Sequence, residues 1–529
     1  MSTITAQKII YSIISDFTLD KTDIEKLKNA EFELFENLAI VYHIKLGKRK
    51  FPFIMEIIDS KIAPERLKES YYLEHLKEEY RHILKCVINN STIQQQYFDF
   101  IYKEIESNTL ELDYLSVLLV HIYYYGLNQD SLLSLTNSMI DSGKIFDFRK
   151  SDKLQNKTLA RRYPTGALSE KIALLLPPLL SYYRKELNMC SPFMIAKSLG
   201  FTGGTWDKLS VFHDIKFSNP ENQEFFLKIL NQCGIAYCMT EGSVAPFDKY
   251  LYQFRSLTGT ISSKPLIISS IASKQLAIPV DFLLLDFRYG VGSFIKSVEE
   301  AYFIGEDLKL LCKQKGLDCE VIYTDTAQLN GVSIGNFWEI YEAICILKGE
   351  FENDYLKLET SSYQISILID FFIRIFLKVL PETNEIDLRS EVLTKLRKGI
   401  FYYSFLEIMD LHNVTESQID EIYRLVNLKN ILKHELLSPL EGEVTHIDQK
   451  KLGAFINYEL NNNNYDLLNS FSKETNLQGL ILHKIRGESV RKGDKLCTIF
   501  CNKEIELTEI ENFFTIVKKN DHANSPRNI

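Results

Sequence analysis

Residues Thr202–Leu209 read TGGTWDKL, a glycine pair and a hydroxyl running into a helix start. Gly203 and Gly204 carry no Cβ, so the backbone there can turn tightly and come close to a ligand. Thr205 adds a hydroxyl, and Trp206–Phe212 reads as a short helix. Loop amides facing a helix start form a ready site for an anion such as phosphate, although two glycines before a helix also mark a plain turn. A second loop is built alike. Arg161–Glu170, RRYPTGALSE, sets two guanidiniums, the Thr165 hydroxyl and the Gly166 amide before an apolar helix that begins near Lys171. Two such loops fit one α/β domain, where they could converge on an anion at the carboxyl ends of neighbouring strands.

Outward from these loops, short apolar runs at Phe193–Lys197, Leu266–Ser269, Phe282–Phe287 and Cys319–Tyr323 alternate with helical stretches, the mark of an α/β lobe. Ahead of it the periodicity is helical: Ile93–Ser107, Asp113–Tyr125, ended by Gly126, and Ser131–Ser142 with Asp130 as N-cap. Residues 1–90 form a separate, mostly helical extension with an apolar stripe through Leu67, Tyr71, Leu76, Tyr80 and Leu84. From about Gly442 the chain is β-like, with turns at Gly487 and Gly493 and a polar loop at Asn461–Asn464. The expected domains are 1–90, a helical lobe 91–150 completed by 246–278, an α/β lobe with a mixed sheet from 151–245 and 279–440, and a β-rich module 441–520.

Composition narrows the function classes. At 529 residues, 45% hydrophobic and 25% charged, the chain is a multidomain globular protein. A formal charge of −9 argues against nucleic acid or an anionic membrane as a bulk partner. The nine cysteines lack paired zinc spacing, so no metal set is expected and reduced thiols in a cytoplasmic protein are the economical reading. Ile172–Leu180 and Ile365–Leu380 are too broken by prolines or charges to span a bilayer, and no secretory leader is visible.

Two further segments carry chemistry. Ser270 and Lys274 lie four apart on a helix and share a face, and Tyr252 and Arg255 sit on the helix before it. Guanidinium, hydroxyl and ammonium would suit a flat, oxygen-rich acceptor edge such as a uracil-type base; a surface ion-pair network uses the same residues. Leu285–Phe294, LDFRYGVGSF, is a strand ending in two glycines without the third glycine or acidic partner of a dinucleotide site.

In order along the chain, Asp141-Ser142-Gly143, TGGTWDKL, Ala245-Pro246 with Asp248-Lys249, Tyr252 with Arg255, Ser270 with Lys274, and Asp286–Phe294 resemble the thymidine and pyrimidine nucleoside phosphorylases over about residues 91–515. The resemblance implies a helical lobe hinged against a larger α/β lobe, a homodimer, and no cofactor beyond inorganic phosphate as co-substrate. It implies that Tyr252, Arg255, Ser270 and Lys274 hold a pyrimidine base, and that Arg162, Thr165, Gly166, Gly203, Gly204 and Thr205 hold phosphate or another anionic acceptor. Arg255, Lys274 and Arg162 would then serve catalysis, cations at the base edge stabilising the charge that develops as the glycosidic bond breaks.

On the phosphate side the resemblance fails. Where the family reads KHSTGGVGD, this chain has Arg162 to Glu170. A lysine has become Arg162, a histidine Tyr163, a phosphate-binding serine Pro164, and two glycines Ala167 and Ser169. Further serines align with Ala173 and Ile195, and an arginine with Lys197. Each hydrogen bond lost to a charged group weakens binding by about 1.5–3 kcal/mol. Three readings stay open: a divergent pyrimidine nucleoside phosphorylase-like glycosyltransferase, a catalytically degenerate fold that binds a nucleoside or nucleotide as a sensor or scaffold, or an enzyme that keeps the cleavage but uses water or a different anion as nucleophile.

Overall fold

The computed structural model describes residues 77–518, with breaks at 461–476 and at short stretches including 198–201, 219–221, 240–242 and 427–431. Most of the N-terminal extension and the Asn461–Asn464 loop lie outside the described residues. The chain divides into two compact units. One takes the residues through Asp147 with Gly242–Pro279 and Leu310–Lys315; the other takes the remainder.

The first unit is helical. Helices Glu78–Ile88, Gln95–Glu106, Leu112–Tyr125 and Gln129–Asp141 are joined by Pro246–Thr258 and Lys264–Ala277. The N-cap of the fourth is Asn128 and not Asp130: its side chain accepts from the Ser131 amide at 2.9 Å, which a residue inside the first turn could not do. Leu266–Ser269, expected among the apolar strand-like runs, lies in a helix. Pro265 in the first turn favours that outcome, and a short apolar run does not by itself distinguish helix from strand.

The second unit is built on five parallel strands, β1 (Thr158–Pro164), β2 (Met189–Ile195), β3 (Ile235–Met239), β4 (Phe282–Tyr289) and β5 (Asp318–Asp325), in the order β3-β2-β1-β4-β5. Helix-bearing segments connect successive strands, which makes parallel pairing possible. Antiparallel pairing is confined to two smaller sheets, β10-β8-β12 and β6-β9-β11-β7, formed by β6 (Ser333–Ile334), β7 (Leu432–Leu437), β8 (Gly442–Ile447), β9 (Gly479–Leu482), β10 (Ser489–Val490), β11 (Lys495–Cys501) and β12 (Phe514–Val517). Gly487 and Gly493 take left-handed turns at φ +90° and +89°. Trp338, fully buried, stacks on Phe500 at 3.9 Å and donates its indole N–H to the Leu477 carbonyl. The strand order reverses at β1, and in open parallel sheets that reversal leaves a crevice beyond the carboxyl ends of the strands. The loop Thr165–Glu170 leaves β1 at that place.

His412 fastens β3 to the helices behind it. Its Nδ1 donates to the Lys216 carbonyl and its Nε2 accepts the Tyr237 amide at 3.2 Å, so the ring must be neutral. Burial pushes its pKa down to about 4, only partly opposed by the Lys216 carbonyl. The unfolded chain takes up this proton near pH 6.5 and the folded chain does not until about pH 4. The stability it supports is therefore full above pH 6.5 and falls by about 3 kcal/mol on acidification to pH 4. Urea unfolding across that range is expected to show a shallower decline for His412→Gln than for the native chain; equal slopes would refute this assignment.

Candidate active site

β1 and β4 run side by side with Pro164 opposite Asp286, and both carry charge into the interior. Arg162 donates through Nη2 to Asp286 and, at 3.2 Å, to Glu170; its guanidinium lies 4.6 Å from the Phe371 ring centre. Arg288 donates to Asp286 at 2.7 Å and to Glu170 at 3.4 Å. The Thr324 hydroxyl donates to the other Asp286 oxygen at 2.6 Å. Lys208, from TGGTWDKL, pairs with Glu339 at 2.9 Å and donates to the Glu170 carbonyl at 2.5 Å. Lys171 pairs with Glu342 at 3.2 Å and donates to Ser169 Oγ and the Ser333 carbonyl at 2.5 and 3.0 Å.

Arg162, Lys171, Lys208 and Arg288 thus face Glu170, Asp286, Glu339 and Glu342, and every one of these side chains is at most 6% exposed. Four positive charges meet four negative ones. Burial pushes the Glu170 carboxyl up, but Arg162, Arg288 and Lys208 overcome it and hold the group below its ordinary value. Asp286 is likewise raised by burial and brought below its ordinary value by Arg288, Arg162 and the Thr324 hydroxyl. Both therefore stay ionised.

Arg162, expected to hold an anionic acceptor, packs its guanidinium against two carboxylates and an aromatic ring. Its partners come from β4 and from the start of the next helix, so no reading of the local sequence could have shown it. The other acceptor-side residues stay nearer the surface: Thr165, Gly166, Gly203, Gly204 and Thr205 are all partly exposed. Thr165 is fixed by its amide to the Asp286 carbonyl and by its hydroxyl, which accepts the Arg288 amide at 2.9 Å. Gly166 has φ +95° and open space where a Cβ would stand. In TGGTWDKL the Gly204 amide donates to the Asp207 carboxylate at 3.0 Å, so the loop's own acid occupies one of its donors. Ala173 and Ile195 are buried and apolar. Ser169 sits at φ +60°, a conformation that glycine adopts at less cost.

The base-side residues lie in the helical unit, on the pair Pro246–Thr258 and Lys264–Ala277, with Gly259 at φ +66° ending the first helix. Arg255 is 2% exposed; it donates to the Leu266 carbonyl at 3.1 Å and to the Ile261 carbonyl, and stands 5.5 Å over the Tyr252 ring. Lys274 donates to Ser270 Oγ at 3.3 Å and forms an ion pair with Asp248. The fold therefore brings Ser270 and Lys274 together, sets Tyr252 beside Arg255, and adds Asp248. Sequence reasoning quoted Asp248 without giving it a role; its spacing of four and seven from Tyr252 and Arg255 was the available signal.

No family model matches the chain. Curated relatives do. Thymidine phosphorylase of Mycoplasmoides pirum is 27% identical over 441 residues, 82% of this chain and 98% of the relative. Pyrimidine-nucleoside phosphorylase of Geobacillus stearothermophilus is 29% identical over 399 residues, 74% of this chain and 84% of the relative. That of Staphylococcus epidermidis is 28% identical over 417 residues, covering 77% and 89%.

The chain is similar in sequence to these nucleoside phosphorylases.

Among solved structures, anthranilate phosphoribosyltransferase of Thermus thermophilus aligns with 99% of its own length and 63% of this chain, at 11% identity and a TM-score of 0.46. Among the described residues, no helix is long and apolar enough to cross a membrane. Nor does any group of three or more His, Cys, Asp and Glu among them take a metal-holding arrangement.

The sealed network fixes the strand ends on which the Thr165–Glu170 loop is mounted. Neutralising Asp286 would leave two buried guanidiniums to share Glu170 alone. Asp286→Asn is expected to lower the unfolding free energy by about 3–5 kcal/mol in urea titrations, and a loss under about 1 kcal/mol would contradict the account.

Proposed function

We propose that the chain is a pyrimidine nucleoside glycosyltransferase of the pentosyltransferase kind. It cleaves the N-glycosidic bond as phosphate or another acceptor attacks the anomeric carbon. The observation that carries this reading is the constellation of Arg255, Ser270 and Lys274 on two successive helices, with Tyr252 beside Arg255. As the glycosidic bond breaks, its electron pair moves into the base, and fixed cations at the base edge stabilise that charge more than they stabilise the neutral nucleoside. Arg255 is preorganised by two carbonyls, and Lys274 is the partly exposed member that meets the base. Thr165, Gly166, Gly203, Gly204 and Thr205 hold the acceptor, with Arg162 contributing through the buried network. A cytoplasmic homodimer accompanies this reading by kinship.

One observation favours a second reading of the acceptor. The buried cations beneath the Thr165–Glu170 loop are already matched by four carboxylates, so a dianion would meet no uncommitted charge there. The same bond cleavage with an uncharged nucleophile fits that balance.

Incubation with uridine and thymidine at graded phosphate concentrations, with chromatography of base and sugar products, tests both. Base release is expected, and Lys274→Ala is expected to reduce kcat/KM by about 100-fold. Sugar 1-phosphate and a rate rising with phosphate support phosphorolysis; free sugar at a phosphate-independent rate supports the second reading. No base release from any pyrimidine nucleoside refutes cleavage. Uracil binding without turnover would then mark a sensor.

A further inference from the structure

We propose that Asp248 is the positioning residue of the base-side cluster: it holds the Lys274 ammonium in place and sets the cluster's net charge at +1. The proposal rests on the reading of Lys274 as a base-binding group. Asp248 is 1% exposed, in the first turn of the Pro246–Thr258 helix, and its Oδ2 meets Lys274 Nζ in an ion pair. Among the described residues no amide or hydroxyl donates a hydrogen bond to either carboxylate oxygen. A buried carboxylate supported by an ion pair alone adds little to stability, because its desolvation offsets the attraction.

Position and charge give it a role. The lysine stem has four rotatable bonds and loses rotamer freedom when ordered, and the side chain of Lys274 is 29% exposed. Ser270 Oγ at 3.3 Å and the Asp248 carboxylate fix the ammonium from two helices. Asp248 also acts on Arg255, where burial lowers the guanidinium pKa and the nearby carboxylate opposes that fall. Two cations and one carboxylate leave a single positive charge. That matches a leaving pyrimidine, which is neutral in the nucleoside and carries one negative charge as the bond breaks. Without Asp248 the cluster would be doubly charged and Lys274 could swing into solvent.

The test compares the native chain with Asp248→Asn and Asp248→Glu, each at a temperature where circular dichroism shows it folded. Three quantities are read: the 15N–1H signal of the Lys274 ammonium, uracil affinity by calorimetry, and kcat and KM for uridine. Asp248→Asn is expected to lose the ammonium signal through faster exchange, bind uracil about tenfold more weakly, and lose about 10- to 100-fold in kcat with a smaller change in KM. Asp248→Glu, which keeps the charge but moves it by one methylene, is expected to recover the signal in part and some of the rate. Were Asp248→Asn not to fold, the Glu variant reads the same three quantities, and native values for all three would overturn the proposal. So would an ammonium signal unchanged in Asp248→Asn, or uracil affinity and kcat within twofold of the native chain. A native chain that releases no base refutes nucleoside cleavage alone, since the ammonium signal and uracil affinity still decide the role of Asp248.

Discussion

Four buried cations and four buried carboxylates at the carboxyl ends of β1 and β4 are the constraint on which the α/β unit depends. An ion removed from water is tolerable only if partners and hydrogen bonds replace its hydration. That requirement couples distant pieces of chain. Asp286 on β4 must meet Arg162 on β1, Glu170 must meet both guanidiniums, and Lys208 must reach Glu339 and the Glu170 carbonyl. Lys171 fixes the end of the acceptor loop to Ser333 and Glu342. The loop between β1 and its helix is therefore mounted on a rigid ionic base.

The same constraint separates the two halves of the functional reading. In the helical unit Lys274 keeps an exposed edge and Arg255 is oriented by backbone carbonyls, so with Asp248 the cluster keeps one net positive charge, which the proposed reading assigns to a leaving base. In the α/β unit Arg162, Lys171, Lys208 and Arg288 are spent on carboxylates and the Gly204 amide on Asp207, while Lys197 lies over the Trp206 ring beside the TGGT loop. On the proposed reading, an acceptor would meet Thr165, Gly166, the outer part of the TGGT loop and Lys197 beside it.

Much of this was legible in the sequence, for physical reasons. Glycine pairs before helices expose backbone, and a four-residue spacing puts Ser270 and Lys274 on one face whatever surrounds them. Gly487 and Gly493 announced their turns by residue type. What was hidden depends on partners far along the chain. Arg162 looks like an anion receptor until Asp286, 124 residues away, is placed against it. Glu339 and Glu342 lie on a helix otherwise rich in apolar and aromatic residues, and nothing local marks them as buried acids. Leu266–Ser269 was too short for its apolar character to distinguish strand from helix, and neither β1, with its two arginines, nor β3 stood out as a strand. Asp248 had the right spacing, but its meaning depended on Lys274 of the next helix.

The central claim is that the base side still has charge to offer a ligand while the acceptor side has neutralised its own. Calorimetric titration of the native chain with uracil and, separately, with inorganic phosphate tests it most directly. The account predicts saturable uracil binding and a phosphate Kd weaker than about 1 mM, less than about 4 kcal/mol of binding free energy. Phosphate bound alone at about 10 μM or tighter, near 7 kcal/mol, would contradict it.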